Sequence, residues 1–453
     1  MKRIGITNVI FCLLIFLMPV CLFATGTQEQ KEETVTITIG IEAWSEADAH
    51  VRNKERFEAS QARIKLNVDK IPAAAYLPKL MSVLTGHTGA YDVVVAYQEN
   101  FRLFVESGYI VQLDPFFDDP DLINANEYDL HDFPDPLLGK LSMNGKLYAI
   151  PQAPGWQVVF FRKDLLAQQG LKEFPVEGPT WDEYITAIRK CAVDSNGDGA
   201  FEILGTMNSG KNHPSQMQEV LTVLGSLNIP IMTEDYKVTI NDSRGIDLLY
   251  QFYTPIREGL TPPDPSAYYL PDIVKALQTG NLAMALAWNS QGEAFATPEQ
   301  TDYPIPEKMG FSVVPHHPSG GIHAPRIWPA LWALAVSADS KHQEEAFQYI
   351  TWFTSKETAM EVLMNGGGVS GRRSLLEDPE VLKDRPIMTS GADGMASWYT
   401  YPPIFENFDL LHKYLPSYTS KIMTTDFSKA AIKAVMEEAA TAVEQFLRDH
   451  NYK

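Results

Sequence analysis

Residues 145–166 read GKLYAIPQAPGWQVVFFRKDLL, and this stretch decides the fold. It begins with turn and strand residues, is interrupted by Pro151 and Pro154, and then becomes wholly apolar over Val158–Phe161. A continuous apolar run bounded by turn residues is typical of a strand that is covered on both faces. Two strands separated by a proline-rich interruption that carries Trp156 predict a crossover between two lobes, with a ligand site beside it.

The bulk properties set the class of the protein. The chain has 453 residues and a formal net charge of −20. This length exceeds one ordinary hydrophobic core, so two domains are expected. An acidic surface of this size repels nucleic acid and anionic lipid, and we therefore exclude both as partners.

The N-terminus has the pattern of an export signal. A basic MKR start is followed by the apolar run Val9–Phe23 and by the small residues Ala24 and Gly26. The apolar run is short for a membrane span. We therefore predict a secretory signal peptide over residues 1–26 and a polar linker over residues 27–33. The mature protein is expected in the periplasm or elsewhere outside the cytoplasm.

The cysteines agree with export to a bacterial envelope. They are Cys12, Cys21 and Cys191, and removal of the signal leaves Cys191 alone, so no internal disulfide can form. A lipid anchor at Cys21 is the less favoured alternative, because Met18–Val20 lacks the small residue that such a signal needs just before the cysteine.

The periodicity of the first hundred residues predicts an α/β lobe. Residues 35–41 and 64–68 alternate apolar and polar positions, residues 73–85 carry apolar residues at helical spacing, and residues 91–96 form a short apolar run. A helical stretch also separates the first two strands. This β-α-β-α-β order argues for a largely parallel sheet.

Later segments add further elements. Thr180–Glu183 reads as a capping box at the start of a helix, residues 283–287 and 331–336 read as strands, and an apolar stripe over residues 432–447 predicts a C-terminal helix.

The order of the motifs resembles a known family. Its parts are G-K-x-Y-A-I-P at Gly145–Pro151, the K-D-L pattern at Phe161–Leu165, a helix that ends at Gly170, and P-T-W-D-E at Pro179–Glu183. Together they resemble the bacterial extracellular solute-binding proteins of the maltose/maltodextrin-binding type, over about residues 34–453. Arg162 departs from the pattern, because many members have Asn there.

The resemblance implies the periplasmic-binding-protein type II fold, in which two α/β lobes are joined by a multi-segment hinge and a ligand cleft lies between them. We expect a first lobe of residues 34–149 plus 287–330 and a second lobe of residues 150–286 plus 331–453. The crossovers are expected near Ile150, Leu286 and Leu331.

The resemblance also implies the function. The protein is expected to be the substrate-binding component of an ABC importer, which captures a sugar or oligosaccharide and delivers it to the transmembrane permease subunits by hinge bending. We expect a monomer, no cofactor and no enzymatic activity.

A sugar ring offers a C–H face to an aromatic plane and a rim of hydroxyls to polar groups, so candidate ligand-binding residues are aromatics after strands with their polar neighbours. Any single Trp of this set could equally be ordinary packing, and Trp332 is expected in the core because it lies inside an apolar run. The candidates are Glu42, Trp44, Tyr97, Gln98, Trp156, Gln157, Trp288, Asn289, Arg326, Trp328, Arg372, Trp398 and Tyr399.

One loop resembles half of a calcium site. Asp194, Asn196 and Asp198 supply oxygens at positions 1, 3 and 5 of a calcium loop, but position 12 is Gly205 and the bidentate acid is missing. We favour a tight turn without a metal over a structural Ca²⁺ site.

Two other functions remain as alternatives. The same scaffold could bind a non-sugar solute such as glycerol phosphate or a peptide, although a phosphate needs clustered cations and the sequence offers only Arg326 and the Arg372–Arg373 pair. An exported glycoside-active enzyme is the second alternative, because carboxylates are plentiful.

Overall fold

The structure, a computed structural model, describes residues 34–292, 308–328, 330–398 and 410–451. The predicted signal peptide, the polar linker, Cys21 and Tyr399 lie outside these residues.

The strands form two sheets and one short hairpin. In chain order they are β1 (Val35–Glu42), β2 (Ile64–Ile71), β3 (Val93–Tyr97), β4 (Ser142–Met143), β5 (Lys146–Leu147), β6 (Ile150–Gly155), β7 (Gln157–Arg162), β8 (Met284–Trp288), β9 (Met309–Val313) and β10 (Ala330–Val336).

The α-helices cover both sheets. In chain order they are α1 (Ser45–Ser60), α2 (Ala73–Thr85), α3 (Gln98–Glu106), α4 (Asp114–Phe117), α5 (Ala125–Tyr128), α6 (Asp135–Lys140), α7 (Lys163–Gln168), α8 (Trp181–Cys191), α9 (Pro214–Gly225), α10 (Ser243–Phe252), α11 (Thr254–Arg257), α12 (Leu270–Gln278), α13 (Gln343–Phe353), α14 (Lys356–Met364), α15 (Arg373–Leu376), α16 (Pro379–Asp384), α17 (Gly391–Ala396), α18 (Leu415–Thr419) and α19 (Lys429–Asp449). Short 3₁₀ segments span Leu130–Asp132, Pro265–Ala267, Asn289–Gln291, Pro386–Ser390 and Ser420–Thr424, and a π-helical turn spans Leu410–Tyr414.

The first lobe is built on a five-stranded sheet of order β2-β1-β3-β10-β6. β1 pairs in parallel with β2 and β3, as the β-α-β-α-β pattern predicts. Ile37, Ile39 and Ile41 are fully buried, which explains the period of two in that strand. β10 joins β3 to β6 and runs antiparallel to both, so the sheet is mixed rather than largely parallel.

The second lobe is built on a three-stranded sheet of order β8-β7-β9, in which β7 is antiparallel to both neighbours. All of β7 is buried, in agreement with the apolar run at its centre. The strands β6 and β7 are separated by Trp156 alone, so the quoted stretch is a crossover between the lobes, as predicted.

The pairing corrects the predicted lobe boundaries. Residues 309–313 were assigned to the first lobe but pair with β7 in the second, and residues 150–155 and 331–336 were assigned to the second lobe but pair within the first sheet. Leu286 lies in the middle of β8 and is no crossover. Long-range strand pairing causes these differences, and no local pattern in the sequence specifies it.

The C-terminal part is shared between the lobes. α13 packs on β10 and β1 of the first lobe, whereas α18 and α19 pack against α9 and α10 of the second. Within the described ranges the chain crosses three times: at Trp156, between β9 and β10, and between α14 and α17.

Candidate functional site

Aromatic and acidic side chains meet where β1 and β3 end. These strands are parallel neighbours, so their carboxyl ends lie at the same edge of the sheet. The Tyr97 hydroxyl donates a hydrogen bond to the Glu42 carboxylate, and the Tyr97 ring lies edge-on to Trp332, with 5.1 Å between the ring centroids. Trp44 follows Glu42 and is 43 % exposed. We call Glu42, Trp44, Tyr97 and Trp332 the first-lobe cluster.

The phenol of Tyr97 is held in its neutral form. Burial, followed by the nearby Tyr76 and Glu42, raises the pKa of Tyr97 well above its ordinary value. Tyr97 therefore acts as a donor to Glu42 and fixes the carboxylate at the strand end. The next residue, Gln98, is buried, and its Oε1 has no hydrogen-bond partner among the described residues.

The second lobe repeats this arrangement at the end of β8. Trp288 is half-buried, and the following Asn289 is 1 % exposed. The Asn289 Oδ1 accepts a hydrogen bond from the Trp156 backbone N–H at 3.0 Å, while its Nδ2 has no partner among the described residues. Each lobe therefore has one strand that ends with an aromatic residue followed by a buried amide: β3, inside the first sheet, and β8, at the edge of the second. We call Tyr97–Gln98 and Trp288–Asn289 the strand-end pairs.

The first-lobe cluster and the Trp288–Asn289 pair border the same two crossovers. Gly155 is paired with Ala330, and a Cβ at Gly155 would lie 3.0 Å from the Ala330 Cβ and 3.5 Å from the Trp288 ring. Trp332 lies two residues further along β10, opposite Tyr97. The first two crossovers thus link the aromatic residues of one lobe to those of the other.

Trp332 was expected in the core because it lies in an apolar run. It is partly buried, packs against the core and lies edge-on to Tyr97, so we add it to the candidates. The signal in the sequence is its position near the start of the strand that follows the second crossover.

Two predicted contacts lie inside the protein beside the first crossover. Trp156 is fully buried and donates its Nε1–H to the Ser390 Oγ at 2.9 Å. Gln157 is buried and its Oε1 accepts a hydrogen bond from the Thr222 hydroxyl at 2.9 Å. Neither side chain presents an exposed face, so the predicted stacking on Trp156 stays a prediction that this arrangement does not favour.

Both predicted arginines are buried in hydrogen-bond networks of the protein. Arg326 is fully buried and its guanidinium donates to the carbonyls of Val314 and Glu177, each at 3.0 Å, and to the Ser397 Oγ at 3.1 Å. Burial lowers the pKa of Arg326 to about 10, so it is still charged at neutral pH.

Arg372 is held in the same manner. It donates to the carbonyl of Thr354 at 2.7 Å, to that of Tyr128 at 2.9 Å and to the Asp132 carboxylate at 3.2 Å. The guanidinium also lies over the rings of Tyr128 and Phe133. These contacts make Arg372 an anchor of its own chain segment.

Of the remaining aromatic candidates, Trp328 lies just before the second crossover and Trp398 follows the third. Trp328 is 2 % exposed and Trp398 is 6 % exposed. The Trp398 Nε1 has no hydrogen-bond partner among the described residues, and its backbone forms a bridge with Ile327. Tyr399 lies outside the described residues.

The Asp194 loop is a turn closed by hydrogen bonds from its own backbone N–H groups to its own side chains. The Asp194 carboxylate accepts from the N–H groups of Gly197 and Gly199, Asn196 accepts from Asp198, and Asp198 accepts from Ala200. No cluster of three or more His, Cys, Asp or Glu side chains suited to a metal occurs in the part of the chain that the structure describes.

An apolar groove of about 570 Å³ lies between the start of α6 and the segment that follows α14. It contains none of the predicted ligand contacts and no Trp or Tyr, so it does not have the aromatic faces that a sugar site uses. Its lining residues are Pro134, Pro136, Leu137, Arg373, Leu376, Glu377, Leu382, Met388, Thr389, Ala392, Met395 and Ala396.

Comparison with known proteins identifies the family. Residues 43–360 match the profile of the bacterial extracellular solute-binding proteins. A probable amino-acid ABC transporter periplasmic-binding protein of Sinorhizobium fredii is 25 % identical over 387 residues, which is 83 % of this chain and 80 % of that protein.

Solved structures confirm the fold. An ABC transporter solute-binding protein of Agrobacterium vitis with bound D-mannitol superposes with a TM-score of 0.76 at 21 % identity, covering 92 % of this chain and 99 % of that one. The maltose-bound MalE3 of T. maritima gives a TM-score of 0.75 at 20 % identity, covering 90 % and 99 %. These likenesses confirm the predicted two-lobed α/β fold of the periplasmic-binding-protein type.

The match spans more than two thirds of the chain. Across the described ranges, none of the helices combines the length and the hydropathy needed to cross a bilayer. The chain belongs to the bacterial extracellular solute-binding proteins and is the solute-binding component of an ABC transporter.

Proposed function

We propose that this protein captures a sugar or a sugar alcohol between its lobes and delivers it to a membrane permease. The proposal depends on the two strand-end pairs, Tyr97–Gln98 and Trp288–Asn289. Each places a half-buried aromatic ring beside a buried amide that has an unpartnered atom, Gln98 Oε1 or Asn289 Nδ2. Because an unpaired buried polar atom is costly, a ligand hydroxyl that pairs with it gains affinity.

The chemistry of the first-lobe cluster supports the same ligand class. Glu42 supplies a carboxylate acceptor, and Trp44, Tyr97 and Trp332 supply aromatic faces. This combination suits a neutral molecule that is rich in hydroxyl and C–H groups. The ligands of similar proteins belong to the same class, since the two solved structures described above hold D-mannitol and maltose.

The phosphate alternative is less well supported, because Arg326 and Arg372 direct their donors to protein groups. The relative from Sinorhizobium fredii makes an amino acid the rival ligand to test. The family consists of binding proteins, so the glycoside-active alternative is also less well supported, and oligosaccharide that stays uncleaved after incubation would exclude it.

Calorimetric titration with D-mannitol, maltose and a mixture of amino acids tests the proposal. We expect saturable binding of a sugar or a polyol by the whole protein. Trp288→Ala should weaken that binding by about tenfold or more, because losing an aromatic contact costs roughly 0.5–1.5 kcal/mol beyond its buried area.

Trp352→Ala is the matched control, since Trp352 is also a half-buried tryptophan but lies on α13, where it packs against Phe57. It should leave the affinity unchanged. Binding of amino acids alone, or equal losses in both variants, would reject the proposal.

A further inference from the structure

Each crossover carries a residue with a buried side chain, and hydrogen bonds tie that residue to one of the lobes. The first is Trp156, whose backbone N–H and C=O both bond to Asn289 of the second lobe, each at 3.0 Å. Since Gly155 still pairs with Ala330 in the first sheet, the chain passes from one lobe to the other at Gly155 itself.

The second anchor is Arg326, and it ties residues 314–327 to the second lobe. Its bonds go to Val314, which follows β9, and to Glu177, which precedes α8. The Ile327 N–H also donates to the Ser397 carbonyl at 2.9 Å. The chain is therefore held to the second lobe as far as Ile327, and it pairs within the first sheet from Ala330 onwards.

The third anchor is Arg372, and it ties its crossover to the first lobe instead. Asp132 binds Arg372 and also accepts from the Ser374 backbone and hydroxyl. Further along, the Arg385 Nη2 donates to the Met364 carbonyl at the end of α14. The following segment, Pro386–Ser390, packs on β9 of the second lobe. The third passage therefore lies at the step from Arg385 to Pro386.

One short segment contacts both of the other crossovers. We call residues 390–397 the clasp. Ser390 accepts the Trp156 Nε1–H, and a Cβ at Gly394 would lie only 2.5 Å from the Trp156 ring. At its other end, the Ser397 Oγ accepts from the Arg326 guanidinium.

We propose that the clasp couples the crossovers: because it holds both Trp156 and Arg326, the chain turns together at Gly155, at Ala330 and at the step from Arg385 to Pro386 when the lobes rotate. In this proposal Trp156 and Arg326 are positioning residues, which set the relation between the lobes and do not touch the ligand. It rests on the proposed function, because it assumes that the lobes close on a ligand.

The test uses a matched pair of buried tryptophan–serine hydrogen bonds. Trp156 donates to Ser390 within the hinge, and Trp181 donates to Ser226 at 2.8 Å inside the second lobe. Both indoles are buried. The variants Trp156→Phe and Ser390→Ala are compared with Trp181→Phe and Ser226→Ala.

The readout is the interlobe distance distribution from paired spin labels. The labels are attached at Ala59→Cys on α1 and Ala434→Cys on α19, both exposed positions, in the full chain with Cys12→Ser and Cys21→Ser. We expect Trp156→Phe and Ser390→Ala to shift the mean distance of the unliganded protein by about 2 Å or more, the scale of a hinge rearrangement, and the Trp181 and Ser226 variants to leave it unchanged.

Unchanged distributions in both hinge variants, or equal shifts in the two pairs, would overturn the coupling. D-mannitol and maltose are then added to the parent protein as probes. If neither narrows the distribution, ligand-driven closure fails, while the unliganded comparison still decides the coupling.

Discussion

Glu219 is a buried acid in the interior of the second lobe. It lies on α9, is 3 % exposed, and accepts hydrogen bonds from the Asn208 side chain at 3.0 Å and from the Ser209 backbone at 2.7 Å. Burial, and to a smaller extent the charge of Glu219, raises the pKa of both Tyr184 and Tyr253, so all three groups are favoured in their neutral forms. Burial outweighs these hydrogen bonds and raises the pKa of Glu219 to about 7.

This raised pKa predicts that the protein loses stability as the pH rises. Below about pH 4.5 the carboxyl is protonated in both the folded and the unfolded state, and above pH 7 it is ionised in both. Between these values the unfolded state ionises first, so the free energy of unfolding falls by about 3 kcal/mol, the equivalent of the pKa difference.

Urea unfolding of wild type and Glu219→Gln at pH 4.5 and pH 8 measures this contribution. The Gln side chain does not ionise, so the variant should show a fall that is smaller by about 3 kcal/mol. Glu55→Gln, on an exposed position of α1, should retain the wild-type fall. If the free energy of unfolding falls equally in wild type and in Glu219→Gln between pH 4.5 and pH 8, the raised pKa of Glu219 is contradicted.

Single residues also show where prediction from sequence ends. Glu42, Tyr97 and Trp288 were selected because they follow strands, and the structure places them at strand ends. Arg326 was selected as the polar neighbour of Trp328, and Arg372 because the glycine-rich turn before it was expected to present it near the cleft. Their partners, including Glu177 and Tyr128, are distant in sequence, so no local pattern could show that the guanidinium groups bind backbone carbonyls.

Elements with strong local signals were predicted well. The Thr180–Glu183 capping box is present at the start of α8, with both reciprocal hydrogen bonds. The alternating run at residues 35–41 is β1, and the run at residues 283–287 is β8 shifted by one residue. These features depend on neighbouring residues, whereas the partners of each strand depend on the rest of the chain.

The glycine in the middle of α17 is required by packing and not by backbone angle. A Cβ at Gly394 would lie 2.5 Å from the Cγ and Cδ1 of Trp156, whose ring is fully buried. Gly394→Ala should therefore destabilise the protein by roughly 1–3 kcal/mol, the usual cost of overpacking. Chemical denaturation measures it.

Gly139→Ala in α6 is the control for that substitution. No atom lies within 4 Å of the position that its Cβ would occupy, so the higher helix propensity of alanine should make this change neutral or stabilising by up to about 1 kcal/mol. A neutral result at Gly394 would show that the indole adapts, and would argue against a rigid contact between α17 and the first crossover.

At the scale of the whole molecule, the sequence correctly predicted two α/β lobes and a crossover at the quoted stretch. It assigned three segments to the wrong lobe, because β9 returns to β7 and β10 returns to β3 over more than a hundred residues. Apolar patterning identifies a strand and its buried face, but it does not identify the sheet to which the strand belongs.

The nested order of the two sheets has a consequence for the order of folding. The second sheet needs only residues 157–313, whereas the first spans residues 35–336, because β10 joins β3 to β6 and β6 has no other neighbour in that sheet. The second sheet closes over the shorter stretch of chain, so the second lobe should form earlier. Pulse-labelled amide exchange during refolding should show protection of β7 before β10, and the reverse order would contradict this sequence of assembly.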